Sequence, residues 1–167
     1  MKQQVAIDRV PMERAMEIVK NITSEANIIE IGTSLTKEFD MRALRPVIEA
    51  AEGVAVLGDI KTCDEGKYEF DLGYRCGFSY LTVMGSASMG TLEACAHSAA
   101  EHDGLMMIDL LECDETRIER ISGFTDAIYC LHTSTDEGST ADPVAQVRAF
   151  KTRFPQIQHL AIAGGIK

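Results

Sequence analysis

The sequence predicts an α/β protein, a parallel TIM (β/α)8 barrel whose C-terminal βα unit or units are expected beyond residue 167. Three observations carry that reading: short β-branched apolar runs, amphipathic helical stretches between them, and polar residues at the ends of many different runs. Runs of this length without polar alternation suit strands buried on both faces, as in a parallel sheet. Strand–helix repetition alone allows either an open doubly wound sheet or a barrel. A barrel gathers residues from many strand ends at one mouth, whereas an open sheet concentrates its site at a switch point. Asp8, Glu30, Asp59 with Lys61, Asp109 and His132 each stand at a different strand end, which selects the barrel.

Taken in order, the strand runs are 4–7, 27–31, 54–57, 80–84, 105–108, 127–131 and 160–163. Pro11 suits a first helical turn, and Met12, Ala15, Val19 and Ile22 then recur at helical spacing. Pro46 falls inside the second helical pattern and should kink or delay that helix. Asp114 can cap a helix carrying Ile118 and Ile121 that stops at Gly123. Asp142 and Pro143 open one carrying Val144, Val147 and Phe150. The chain reads as a single domain over 1–167 that ends just after the seventh strand, so a closing eighth unit is expected further on.

At 167 residues and 46% hydrophobic content the chain can bury a substantial core. A net charge of −10 opposes general attraction to nucleic acid or an anionic membrane. No apolar run approaches the ~20 residues a membrane helix needs, and the first ten residues lack an export signal pattern, so a cytoplasmic enzyme is expected. The cysteines at 63, 76, 95, 113 and 130 are odd in number and form no CxxC pair, which argues against a disulfide framework or a zinc knuckle.

Asp59 and Lys61 are two apart in a strand, so both can point into the barrel mouth while Ile60 packs outward. Asp8, Glu30, Asp59, Asp64 and Asp109 set five negative charges against the one of Lys61. That excess is costly in a partly desolvated mouth unless carboxylates protonate or a cation binds. Oxygen ligands without cysteine favour a hard divalent ion, Mg²⁺ first. Gly164-Gly165 after the run LAIA can cradle a phosphate, because glycine lets backbone N–H groups approach an anion closely. His97, His102 and His159 read as surface residues.

The segments Val5-Ala6-Ile7-Asp8, Ile28-Ile29-Glu30-Ile31-Gly32-Thr33, Asp59-Ile60-Lys61-Thr62-Cys63-Asp64, Thr82-Val83-Met84-Gly85 and Ala161-Ile162-Ala163-Gly164-Gly165-Ile166 resemble, in order, the motifs of the 3-hexulose-6-phosphate synthases. These belong with the 3-keto-L-gulonate-6-phosphate decarboxylases to the orotidine 5′-monophosphate decarboxylase superfamily. The resemblance implies a homodimer of barrels in which Glu30 and Asp59 bind Mg²⁺ and Lys61 stabilises an enediolate. It further implies that Asp64 reaches into the partner's site, with Asp109 and His132 in the pocket and His132 transferring a proton. Gly164 and Gly165 match a phosphate loop, and Asp8 and Asp136 match substrate-binding positions. The implied reaction joins formaldehyde to the phosphorylated ketose ribulose 5-phosphate, or runs in reverse.

His132-Thr133-Ser134-Thr135-Asp136 resembles the synthase pattern H-x-G-x-D, and the decarboxylase has arginine where Thr135 stands. The chain departs from the family pattern at Ser34, Glu65 and Ser134 and over residues 36–42, all flanking the pocket, which leaves a different ketose phosphate open. A decarboxylase and a non-catalytic sugar-phosphate-binding barrel are the alternatives.

Overall fold

The structure, a computed structural model, describes residues 1–134, 136 and 142–164. Seven strands, β1 Gln4–Ile7, β2 Ile28–Ile31, β3 Ala55–Thr62, β4 Tyr80–Met84, β5 Leu105–Asp109, β6 Ile128–His132 and β7 Leu160–Ala163, form one sheet in sequential order. Every pairing is parallel, so each strand must be followed by a crossover. The long crossovers are α1 Met12–Ile22, α4 Gly66–Cys76, α5 Met89–Glu101, α6 Glu115–Ile121 and α7 Pro143–Arg153.

Side-chain alternation divides the sheet into two faces. Ile29, Ile31, Val56, Ile60, Leu81, Val83, Ile108 and Tyr129 point outward and pack with the helices in the main core. Ile28, Leu57, Tyr80, Met107 and Cys130, from five adjacent strands, meet in a second cluster on the inner face. A single cleft lined by residues of β1 through β7 requires the sheet to curl, since a flat sheet would hold its edge strands far apart. The fold is therefore the TIM-barrel type expected from the sequence, with seven strands among the described residues.

Capping residues fix the helix starts. Asp114 accepts a hydrogen bond from Arg117 N–H at 2.7 Å, Asp142 from Val144 N–H at 2.9 Å and Ser88 from Thr91 N–H at 3.0 Å. At the far end of α4, Gly77 takes φ 107°, a left-handed cap that a side chain would resist.

Two local expectations are modified. Between β2 and β3 the single helical pattern is divided into α2 Thr33–Glu38 and α3 Arg45–Glu49, with Pro46 in the first turn of α3. Proline lacks an N–H and is accommodated only where that donor would be unpaired, so the chain breaks and restarts there. Strand β3 also runs beyond the apolar stretch 54–57 to Thr62 and takes in Asp59 and Lys61.

Candidate active site

A cleft of about 340 Å³ opens at the C-terminal ends of the strands. All seven strands or the residues just after them contribute to its wall. Asp8 follows β1, Glu30 lies in β2, Asp59 and Lys61 in β3, Thr82 in β4, Asp109 ends β5, His132 ends β6 and Gly164 follows β7. A larger cavity, about 480 Å³, lies at the opposite end around the starts of β5 and β6. Half of its lining is alanine and glycine, its only charged residues are Asp103 and Asp126, and it offers no convergent set of acid, base and cation.

Lys61 is the hub of the cleft. Its Nζ lies 3.1 Å from Asp59 and 2.7 Å from Asp109. Burial alone would lower the lysine pKa, but the two carboxylates outweigh it and hold the group above its ordinary value. Asp109 is saturated: His132 Nδ1 is 2.8 Å from Oδ2 and 3.1 Å from Oδ1, and Leu111 N–H donates to Oδ1 at 2.9 Å. Burial pushes its pKa up, yet the His132 hydrogen bond and the Lys61 charge prevail and hold it at about 2. An ionised Asp109 requires a proton on His132 Nδ1, so in neutral imidazole Nε2 carries the lone pair.

The route by which Asp59 and Lys61 share the cleft differs from simple alternation. Lys61 has φ 50°, in the left-handed region, and the β3–β4 register jumps between Gly58 and Thr62. A non-glycine residue there costs about 1–3 kcal/mol and persists only where its surroundings over-determine it. Such an irregularity re-aims a side chain next to a site.

Glu30 has a different electrostatic setting. Burial and the neighbouring Asp59 charge raise its pKa to about 7, against a lowering from the Gln4 amide, which donates at 2.5 Å. The cleft lining sets Asp8, Glu30, Asp59 and Asp109 against Lys61 and Arg9, so carboxylates outnumber cations. Among the described residues no group of three or more His, Cys, Asp or Glu side chains is arranged to hold a metal. Two carboxylates suffice for Mg²⁺, which keeps several waters and takes one or two carboxylates. The charge deficit and the oxygen donors fit such an ion.

Asp8 sits on the rim and accepts hydrogen bonds from Ser34 Oγ at 2.6 Å and Ser34 N–H at 3.1 Å. A Cβ on Gly32 would stand 2.1 Å from its Oδ2, so glycine is needed for this approach. Gly164 has φ 85°, and a Cβ there would meet the Thr133 carbonyl oxygen at 2.2 Å. Asp64 is exposed on the loop after β3, accepts from Glu65 N–H, and does not line the cleft of its own chain. Asp136 is likewise exposed and apart from the cleft lining. Gly165 and Thr135 lie outside the described residues.

Two hydroxyl residues of the cleft had no assigned role in the sequence reading. Thr33 Oγ1 donates to Asp59 Oδ2, and Thr82 Oγ1 donates to Asp59 Oδ1 at 2.8 Å. A lone threonine in the otherwise apolar and aromatic run 80–84 was the available signal for Thr82.

The sequence pattern of the "Orotidine 5'-phosphate decarboxylase / HUMPS family" matches residues 1–166. Over its whole length the chain is 29% identical to the 3-hexulose-6-phosphate synthase of Mycobacterium gastri and covers 81% of that protein. The crystal structure of 3-hexulose-6-phosphate synthase from Salmonella typhimurium superposes with a TM-score of 0.88 at 26% identity, over 99% of this chain and 80% of that one. A 3-keto-L-gulonate-6-phosphate decarboxylase from Vibrio cholerae shares the fold, with a TM-score of 0.86 at 22% identity over 99% of this chain and 78% of that one.

Proposed function

Because this chain belongs to the Orotidine 5'-phosphate decarboxylase / HUMPS family, we propose that it is a lyase that joins formaldehyde to ribulose 5-phosphate, or runs that aldol reaction in reverse. The observation that carries the proposal is Lys61, held between Asp59 and Asp109 beside His132 at the mouth of a curled parallel sheet. The names of the similar proteins support the same reaction type.

In this reading His132 Nε2 takes a proton from the ketose carbon next to the carbonyl. Negative charge moves onto the carbonyl oxygen, and the Lys61 ammonium donates a hydrogen bond to it there. A fixed donor aimed at developing charge is worth about 3 kcal/mol or more of barrier. Glu30 and Asp59 would hold Mg²⁺, which when bound supplies further positive charge for the same oxygen. The carbon nucleophile then forms a bond to formaldehyde, and the electron pair of the C=O bond moves onto the aldehyde oxygen. The proton on His132 passes to that oxygen, so the reaction consumes and releases no net proton. Asp109 keeps His132 in the required tautomer and does not itself meet the substrate. Gly164 and Gly165 would receive the phosphate through backbone N–H groups, with Asp8 and Asp136 toward the sugar hydroxyls. Asp64 acts in the cleft of a second subunit, in keeping with its exposure outside its own.

Incubation of the protein with Mg²⁺, ribulose 5-phosphate and labelled formaldehyde should yield labelled hexulose phosphate. Lys61→Ala should lower kcat on the order of a hundredfold or more. Absence of product, or Lys61→Ala turning over like wild type, would overturn the proposal. The decarboxylase alternative predicts CO₂ release from 3-keto-L-gulonate 6-phosphate in the same preparation; Thr135, where that enzyme has arginine, weighs against it.

A further inference from the structure

The irregularity in β3 is held together by side chains where sheet hydrogen bonds fail. Between the pairs Gly58↔Leu81 and Thr62↔Val83, β3 advances four residues while β4 advances two. Backbone groups in that interval need other partners. Thr36 Oγ1 donates to the Asp59 carbonyl at 3.1 Å, and Lys37 Nζ to the Ile60 carbonyl at 3.3 Å, both reaching over from α2. From β4, Thr82 Oγ1 accepts the Lys61 N–H at 2.9 Å.

Thr82 is the one member of this set that touches both Asp59 and Lys61. A hydroxyl has one proton to give and lone pairs to receive. The Lys61 N–H can only donate, and the Asp59 carboxylate can only accept. The relay therefore runs in one sense, Lys61 N–H to Thr82 Oγ1 and Thr82 O–H to Asp59 Oδ1. With Thr82 buried at 4% exposure, no bulk water substitutes easily for either bond.

We infer that Thr82 is a positioning residue for this site: one hydroxyl holds the left-handed Lys61 backbone and the Asp59 carboxylate together, so that ammonium and carboxylate are presented to the substrate in fixed relation. The inference rests on the proposed aldol reading for its kinetic consequence, but not for its structural one. Thr82 gives its one hydroxyl proton to Asp59 and has none left for the substrate, so its removal should act on turnover.

The test compares Thr82→Val, which keeps shape and removes the hydroxyl, with Thr82→Ser, which keeps the hydroxyl. In Thr82→Val, kcat should fall on the order of tenfold to a hundredfold, as for loss of a supporting hydrogen bond at a ligand carboxylate. KM for the ketose phosphate should stay within about twofold, since only ground-state binding moves it. Thr82→Ser should recover most of the loss. Amide hydrogen exchange at Lys61, followed by NMR, should accelerate in Thr82→Val and return in Thr82→Ser, while Leu81 and Val83 stay protected. If Leu81 and Val83 lose protection in the valine variant, Thr82→Ala replaces it. Wild-type kcat in Thr82→Val, equal damage in the serine and valine variants, or an unchanged Lys61 amide would each overturn the inference. Should wild type turn over no ribulose 5-phosphate, the functional proposal fails, and Lys61 amide exchange decides the positioning role by itself.

Discussion

Asp109 shows how one buried carboxylate organises the cleft. It is 3% exposed, yet its pKa lies at about 2, below the ordinary 3.8, because His132 and Lys61 outweigh the cost of burial. A group whose folded-state value is depressed stabilises the fold above its unfolded value, and that contribution is lost as the pH falls through the folded one. Between about pH 4 and pH 2 the wild type should lose about 2 kcal/mol from this residue. Denaturant titrations along that pH range should show the loss in wild type and its absence in Asp109→Asn. The six polar residues at strand ends were legible because strand length and polarity place them with no further information. Thr82 and Thr33 were not, since a buried hydroxyl is commonplace until its partners are known. Nor did periodicity reveal where the Asp64 side chain goes, because a loop has no period.

At the scale of elements, α4 and α5 meet by close approach of backbone. A Cβ on Gly66, the first residue of α4, would stand 2.7 Å from the Thr91 carbonyl oxygen and 2.8 Å from Cys95 Sγ, both on α5. Alanine ordinarily favours a helix over glycine by up to about 1 kcal/mol. Here a backbone oxygen must give way, and overpacking of that kind costs about 1–3 kcal/mol. The second effect wins, so Gly66→Ala should lower the thermal midpoint, read by circular dichroism. The strands were visible in sequence because a parallel sheet demands uninterrupted apolar runs. Strand β3 was the exception. Its polar end truncated the apparent run, and the jump in register leaves no mark in residue order, since side chains of α2 and β4 complete it.

For the whole molecule, the distribution of polar residues over many strand ends distinguished a barrel from an open sheet, and a cleft walled by every strand agrees with it. Among the described residues no helix is long and apolar enough to cross a membrane. Lys61 lines the cleft of its own chain while Asp64 does not, which makes the proposed homodimer testable through shared sites. Lys61→Ala and Asp64→Asn should each be inactive alone. After unfolding and refolding together in equal amounts, half the dimers are mixed and each has one intact site, so activity should return to about a quarter of wild type. Mixtures that remain inactive would count against an Asp64 that serves its neighbour.

The commitment of Lys61 to two carboxylates bears on what the cleft can tolerate. Aldehydes and ketones are captured by free amines as carbinolamines and by thiolates as hemithioacetals, and either adduct would block the cleft. The ammonium of Lys61, with its pKa raised, has no lone pair for such capture at neutral pH. Burial pushes the Cys130 thiol on the cleft floor well up as well, so it too stays protonated and a poor nucleophile. An amine held as ammonium and a thiol held as S–H both disfavour such capture, which suits the proposed aldol reaction, in which the substrate is never attached covalently to the protein.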